Sequence, residues 1–273
     1  MLEKVRILKI GGSVITYKDK YSELNTMSIK NIILEIKRWL EEANDTKLVF
    51  ISGAGSFGHP LAHKYMLNKE SIDNKDSLCF LQTTTNMQRM GNIIANVFQK
   101  KGIPLFPIQP SSIFITDKGR IVDCYLKSII IAIKNNQIPF LWGDSVFDMS
   151  HRYRILSGDQ ISTYLYEKLN ASDILFGTNV DGIYTENPFK NKYAKIIPEV
   201  NDENYKEVLE YLSHSSYVDV TQGMRGKLEE IYAIKKRPVR CVIYNAGLKN
   251  NTYKALRGEK IGTTIFLRGE THG

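Results

Sequence analysis

The residues of this chain that could do chemistry stand where short apolar runs stop. The stretch Ile51-Ser52-Gly53-Ala54-Gly55-Ser56-Phe57-Gly58-His59-Pro60 follows Lys47-Leu48-Val49-Phe50, which reads as a buried strand, and precedes a helix-like segment at 61–66. A glycine-rich turn from strand to helix presents unpaired backbone N–H groups at the positive helix end, and glycine lets the backbone approach an anion closely. A phosphate fits such a turn, with His59 beside it. The same letters satisfy G-x-G-x-x-G, the dinucleotide fingerprint, which wants an acidic residue about 20 positions on, at the end of a second strand. Asp73 has that spacing but lies in the polar stretch Ser71-Ile72-Asp73-Asn74-Lys75-Asp76, which offers no strand. A purely structural glycine turn is the other alternative.

Lys9 lies inside a first strand, Val5-Arg6-Ile7-Leu8-Lys9-Ile10, which the tight turn Gly11-Gly12-Ser13 closes. At the carboxyl end of a buried strand a lysine needs an anionic partner; on an edge strand it would face water instead. Gly143-Asp144 ends the apolar run 138–142, Ser157-Gly158-Asp159 opens a helical pattern at 160–169, and Val180-Asp181-Gly182 follows the run 174–178. Lys18 sits in a polar loop, where solvation is the ordinary state. Gly223 and Lys227 belong to a helix introduced near Thr221-Gln222.

These residues have to be positioned by strands alternating with helices. The spacing predicts helices over 28–42, with Ser28 as N-cap and Ile32, Ile33, Ile36, Trp39 and Leu40 inward, over 77–101, and over 125–134. The second carries an apolar stripe of Met87, Met90, Ile93, Ile94, Val97 and Phe98, read as core. Strands are predicted near 105–108, 241–244 and 264–267, with hairpins over 114–122 and 146–156. Such alternation implies an α/β fold with a mostly parallel sheet covered on both faces. In an open parallel sheet ligands collect outside the carboxyl ends of the strands, so Lys9, Gly11, Gly12, Gly53, Ala54, Gly55, His59, Gly143, Asp144, Asp159 and Asp181 are expected on one edge. Glycine turns and lysines suit phosphates, and carboxylates can hold Mg²⁺ or orient the lysines. No Cys-His nucleophile pair, HExxH zinc motif or helical glutamate pair is present, and the Walker A sequence is absent. Phosphoryl transfer fits best, because it needs positioning and charge neutralisation more than a covalent nucleophile.

The 273 residues, 42% of them hydrophobic, can bury a substantial core, and nothing resembles a signal peptide or a membrane span. Cys79, Cys124 and Cys241 are widely spaced and odd in number, which favours reduced thiols and a cytoplasmic protein. The net charge of +8 is scattered, with Lys235-Lys236-Arg237 as the densest cluster. That cluster is read as complementing a helix C-terminus, and neither a nucleic-acid nor a membrane partner is expected.

Lys9-Ile10-Gly11-Gly12-Ser13, the glycine stretch through His59, Gly143-Asp144, Ser157-Gly158-Asp159, Val180-Asp181-Gly182-Ile183-Tyr184 and Gly223-Met224-Arg225-Gly226-Lys227 together resemble the amino acid kinase superfamily. They are most similar to the isopentenyl phosphate kinases, with Pro107-Ile108-Gln109-Pro110-Ser111-Ser112 and Tyr253-Lys254-Ala255-Leu256-Arg257-Gly258 in support. The resemblance implies a single three-layer αβα domain over 1–273, usually homodimeric. Its acceptor part would cover about 1–170 and its nucleotide part about 171–273. ATP and Mg²⁺ are implied, with a small phosphate as acceptor. By that resemblance Lys9, Gly11, Gly12, Ser13, Gly55, Asp181, Gly223 and Lys227 serve the nucleotide, and Lys18 the transferring phosphoryl group. Asp159 would hold the lysines. Ala54, Gly58, His59, Gly143, Asp144 and Gly158 would serve the acceptor, His59 donating a hydrogen bond to its anionic oxygens. The bland alternative for His59 is a helix cap. This sequence departs from the pattern at Ser52 (commonly histidine), Ala54 (glycine), Asn179 (aspartate), Gln222 (glycine) and Gln160 (often acidic). The stretch Ile51-Ser52-Gly53 through Gly58-His59 is also similar to fosfomycin kinases, which act on a phosphonate.

Overall fold

Strand β1 (Lys4–Ile10) is buried from Val5 onward, so neither of its faces reaches water, and the rest of the chain is wrapped around it. The structure is a computed structural model that describes residues 4–17, 20–42, 45–58, 74–188, 190–214, 220–234 and 237–269. After β1 come the helical turn α1 (Gly12–Ile15), helix α2 (Thr26–Glu42), strand β2 (Thr46–Ser52), the long helix α3 (Asn74–Gln99) and strand β3 (Leu105–Pro107). Then follow the hairpin β4 (Phe114–Asp117) and β5 (Arg120–Cys124), helix α4 (Lys127–Lys134), strand β6 (Ile138–Trp142), the hairpin β7 (Asp144–Asp148) and β8 (Arg152–Leu156), and helix α5 (Gly158–Lys168). The last part holds β9 (Asp173–Thr178), the short β10 (Ile183–Tyr184), β11 (Ile196–Ile197) and β12 (Glu199–Val200), helices α6 (Tyr205–His214) and α7 (Val220–Tyr232), β13 (Val239–Asn245), α8 (Asn251–Arg257) and β14 (Thr263–Leu267).

Eight strands form one sheet in the order β12-β14-β13-β9-β1-β2-β6-β3, parallel at every pairing except β13 with β14. β1 lies between β2 and β9, where the chain turns from building one half of the sheet to building the other, and that is where an open α/β sheet forms its crevice. Alternate residues of β1 enter different cores. Val5 and Ile7 join α4, α5 and α7 through Ile129, Ile161, Leu165 and Leu228, whereas Leu8 and Ile10 join α2, α3 and α8 through Ile33, Ile36, Met90 and Leu256. The two predicted hairpins form a separate four-stranded sheet, β5-β4-β7-β8, whose middle pair is parallel.

Several expectations are corrected. Lys9 is 7% exposed on a central strand, so the edge-strand alternative fails. Gly11-Gly12-Ser13 is no simple turn: Gly11 is the N-cap of α1. The α2 helix starts at Thr26, and Asn25 rather than Ser28 caps it, its Oδ1 accepting the Ser28 N–H at 3.1 Å. Ile93 of the α3 stripe stands 36% exposed, while Met87, Met90, Ile94 and Phe98 are buried. Arg237 does not close a helix dipole: it donates 2.9 Å to the Ala171 carbonyl and lies over the Tyr166 ring. Its neighbours Lys235 and Lys236, the predicted helix 61–66, Lys18 and His59 lie outside the described residues. None of the three cysteines forms a disulfide among the described residues, and among them no helix is long and apolar enough to cross a membrane.

Candidate active site

Two glycine turns meet at the carboxyl ends of β1 and β2. A Cβ on Gly12 would stand 2.3 Å from the Gly55 nitrogen, and one on Gly53 would stand 2.4 Å from the Gly12 nitrogen, so only glycine permits this approach of backbone to backbone. Thr16 locks the junction, its Oγ1 donating to the Gly12 carbonyl at 2.8 Å and accepting the Ser56 N–H at 3.0 Å. Gly55, at φ +51°, turns the chain beneath Thr16. The third and fourth strand ends join them. A Cβ on Gly143 would lie 3.3 Å from the Gly158 nitrogen and 3.6 Å from the Ala54 nitrogen, and one on Gly158 would lie 3.4 Å from the Lys9 Cε. Gly58 is buried against Ala54 and the Met87 sulfur.

Into this glycine floor come two lysines and one carboxylate. The Ser157 side chain caps α5 by accepting the Gln160 N–H at 3.1 Å, which puts Asp159 in the first turn, near the positive end of the helix. Asp159 Oδ1 accepts from Lys9 Nζ at 2.6 Å and from Lys227 Nζ at 2.8 Å. Lys227 comes from α7, is 5% exposed and lies over the Phe176 ring at 4.6 Å. Burial pushes the Asp159 carboxyl up, but Lys227 and Lys9 override it and hold the group well below the ordinary carboxylate range. Burial pushes Lys227 down to about 8, against the pull of Asp159 and with the help of Lys9. Two ammonium groups on one carboxylate leave an excess of one positive charge among the described residues. A buried excess charge is costly unless an anion completes it.

The remaining expected residues fall into two groups. Ser13 and Gly223 are exposed, Gly223 one helical turn before Lys227 with open space above it. Asp181, past β9, accepts from Asn245 Nδ2 at 2.9 Å and from the Tyr184 hydroxyl at 3.1 Å and makes no bond to the lysine cluster among the described residues. Asp144 is buried with its oxygens on the backbone N–H groups of Ser145 (2.9 Å) and Ser111 (3.3 Å), and burial raises it to about 7. No group of three or more His, Cys, Asp or Glu side chains able to hold a metal occurs among the described residues. Beside α7 lies an apolar hollow that the sequence did not announce, lined by Val180, Ile183, Pro188, Tyr211, Leu212 and Met224. Val180 and Ile183 stand in the loop singled out around Asp181 and Met224 stands beside Gly223, whereas Pro188, Tyr211 and Leu212 carried no signal.

Isopentenyl phosphate kinase of Methanocaldococcus jannaschii is 36% identical over 266 residues, covering 95% of this chain and 97% of that one. Isopentenyl phosphate kinase of Methanothermobacter thermautotrophicus is 32% identical over 268 residues, with 95% and 98% covered. X-ray structures of isopentenyl phosphate kinase include one that matches at a TM-score of 0.81 and 29% identity over 96% of this chain and 100% of that one. The model of the amino acid kinase family matches residues 4–245, from β1 through β13, and the chain belongs to that family.

Proposed function

We propose that this protein is an ATP-dependent kinase that transfers the γ-phosphoryl group to isopentenyl phosphate, giving isopentenyl diphosphate and ADP. The observation that carries the reading is the pair of buried lysines sharing Asp159 over a floor of glycines, a set of groups suited to phosphate. Similarity to isopentenyl phosphate kinases over nearly the full length of both chains supports the acceptor. An oxygen of the acceptor phosphate attacks the γ-phosphorus and the bond to the β–γ bridging oxygen breaks, so charge shifts onto ADP. Lys9 and Lys227 neutralise it, Asp159 fixes both ammonium groups, and Lys18 meets the transferring group. Gly11, Gly12, Ser13, Gly55 and Gly223 border the nucleotide phosphates, and Asp181 and the apolar hollow beside α7 border the nucleoside. Ala54, Gly58, His59, Gly143 and Gly158 form the acceptor side, and Asp144 braces it from beneath through Ser111. Mg²⁺ would come with ATP and would offset part of the charge of its phosphates. The protein works as a cytoplasmic homodimer.

Coupled ADP release with Mg–ATP, run side by side with isopentenyl phosphate and fosfomycin, tests the reading. Turnover of isopentenyl phosphate with kcat/KM of about 10⁴ M⁻¹s⁻¹ or more is expected; preference for fosfomycin, or idleness with both, overturns the acceptor.

A further inference from the structure

Gln160, the residue after Asp159, is buried and tied at both ends. Its backbone N–H goes to the Ser157 cap, and its side-chain Nε2 donates 3.1 Å to the Gly119 carbonyl. Gly119 is the second residue of the two-residue turn between β4 and β5, where Lys118 and Gly119 both have positive φ, 50° and 77°, as a type I′ hairpin requires. That tip is braced from behind. The Gly119 N–H donates 2.7 Å to Asp148 Oδ2, which also takes the Thr116 hydroxyl at 2.8 Å, while Asp148 Oδ1 takes the Ser150 and His151 N–H groups at 3.1 and 2.8 Å. The next residue, Arg120, makes a two-pronged ion pair with Glu230 at 2.6 and 3.0 Å. Glu230 lies on α7, three residues past Lys227.

One hairpin tip therefore grips the helix turn that presents Asp159 and the helix that presents Lys227. Below these grips α5 and α7 share one apolar core through Ile161, Leu165, Leu228 and Ile231; outside that core an open groove runs, bordered by Arg120, Gln160, Thr163, Glu167 and Glu230. The core holds the inner sides of the two helices together, and on the outer side the polar bonds tie both of them to the hairpin tip. We propose that Gln160 is a positioning residue which, with Arg120 and Glu230, clasps α5 and α7 to the β4–β5 tip and holds Asp159 and Lys227 at the separation that a nucleotide phosphate needs. The proposal rests on the kinase reading of Lys9 and Lys227 as nucleotide ligands, but not on the identity of the acceptor.

The test is the dissociation constant of ATP, measured by calorimetry without acceptor between pH 5 and 8, for the wild type, Gln160→Glu and Gln160→Ala. An ionised glutamate turns a carboxylate toward the Gly119 carbonyl and cannot donate; a protonated one donates again. Gln160→Glu is expected to weaken ATP about tenfold at pH 8, the effect of one lost buried hydrogen bond, and to recover toward the wild type at pH 5. Gln160→Ala is expected to weaken it at every pH. Arg120, Glu230, Glu167, Lys168, Asp148, His151 and the Lys9–Asp159–Lys227 cluster are common to all three proteins and cancel in the ratio. Reversing the clasp supplies a second reading: Arg120→Glu weakens ATP, and adding Glu230→Arg restores it. Wild-type affinity in Gln160→Glu at pH 8, or a ratio of Gln160→Glu to wild type that ignores pH, overturns the proposal, the latter by making Gln160 merely structural. Wild-type protein that binds ATP but leaves isopentenyl phosphate untouched overturns the acceptor alone; wild type that binds no ATP overturns both.

Discussion

Arg6 and Lys9 leave opposite faces of the same strand, and the carboxylates they meet are used in opposite ways. Arg6 faces the α8 side, where its Nε meets Asp173 Oδ1 at 2.8 Å, a terminal nitrogen meets Oδ2, and the guanidinium also donates to the carbonyls of Leu256 and Ala255. One cation meets one anion, and the planar fork is filled. Lys9 faces the α5 side, where a single carboxylate serves two ammonium groups. The first cluster is closed and has nothing left to offer a ligand. Among the described residues the second is left one negative charge short, at the strand edge where a parallel sheet binds its ligands. Burial alone thus does not mark a functional ion pair; the uneven count of charges does.

The sharpest way to break that contrast is Asp173→Ala. It strands a buried guanidinium, and removing one partner of a buried pair costs about 3–5 kcal/mol of stability. Urea unfolding is expected to register that loss, while kcat per folded molecule stays at the wild-type value. Equal stability, or a selective loss of ATP affinity, would mean that the closed cluster is not merely structural. Lys227→Ala is the next largest. It removes one of the two cations from the open cluster and leaves the other balanced by Asp159, so the site loses its excess charge. The KM for ATP is expected to rise about 100-fold, the upper range for losing one hydrogen bond to a charged group. Acceptor KM and unfolding midpoint should change little, because Lys9 can still hold Asp159. An unaltered ATP dependence would remove Lys227 from the nucleotide site.

How much of this contrast was legible in the sequence follows from the reach of each interaction. Lys9 declared itself because a lysine inside an apolar run needs a partner, and the glycine turns declared themselves by composition. Asp159 was visible as a first-turn acid after a Ser cap. The pairing of Arg6 with Asp173 was invisible, since 167 residues separate them and each reads alone as an ordinary strand-end charge. Lys227 emerged only through family resemblance, because a lysine on an amphipathic helix is solvated by default. Asp144 sits at a strand end as expected, yet its carboxylate is occupied by Ser111 and Ser145, a consequence of the 3₁₀ turn at Pro110–Ser112 that no local pattern disclosed. Asn25 displaced Ser28 as the α2 cap because the helix could begin one turn earlier on Thr26, a boundary that periodicity defines poorly.

The expected effect most specific to the open cluster builds up gradually, and it concerns pH. Burial lowers Lys227 to about 8. Above that pH the free enzyme sheds the proton that an anionic ligand needs, so the dissociation constant of ATP should climb by up to tenfold per pH unit between about 8 and 10. The effect on stability has the opposite sign. Between the folded value near 8 and the ordinary lysine value, the unfolded chain holds a proton that the folded chain has lost, so this group's contribution to stability rises with pH. Weakening of ATP through alkaline unfolding would instead move affinity and unfolding midpoint together. Calorimetry and thermal unfolding on the same samples at pH 7, 8, 9 and 10 separate the two. Lys227→Arg sharpens the measurement, because a guanidinium keeps its charge over the whole range and should flatten the pH dependence while retaining part of the affinity. A slope that persists in the arginine variant would move the titrating group to another residue and leave the open cluster charged throughout.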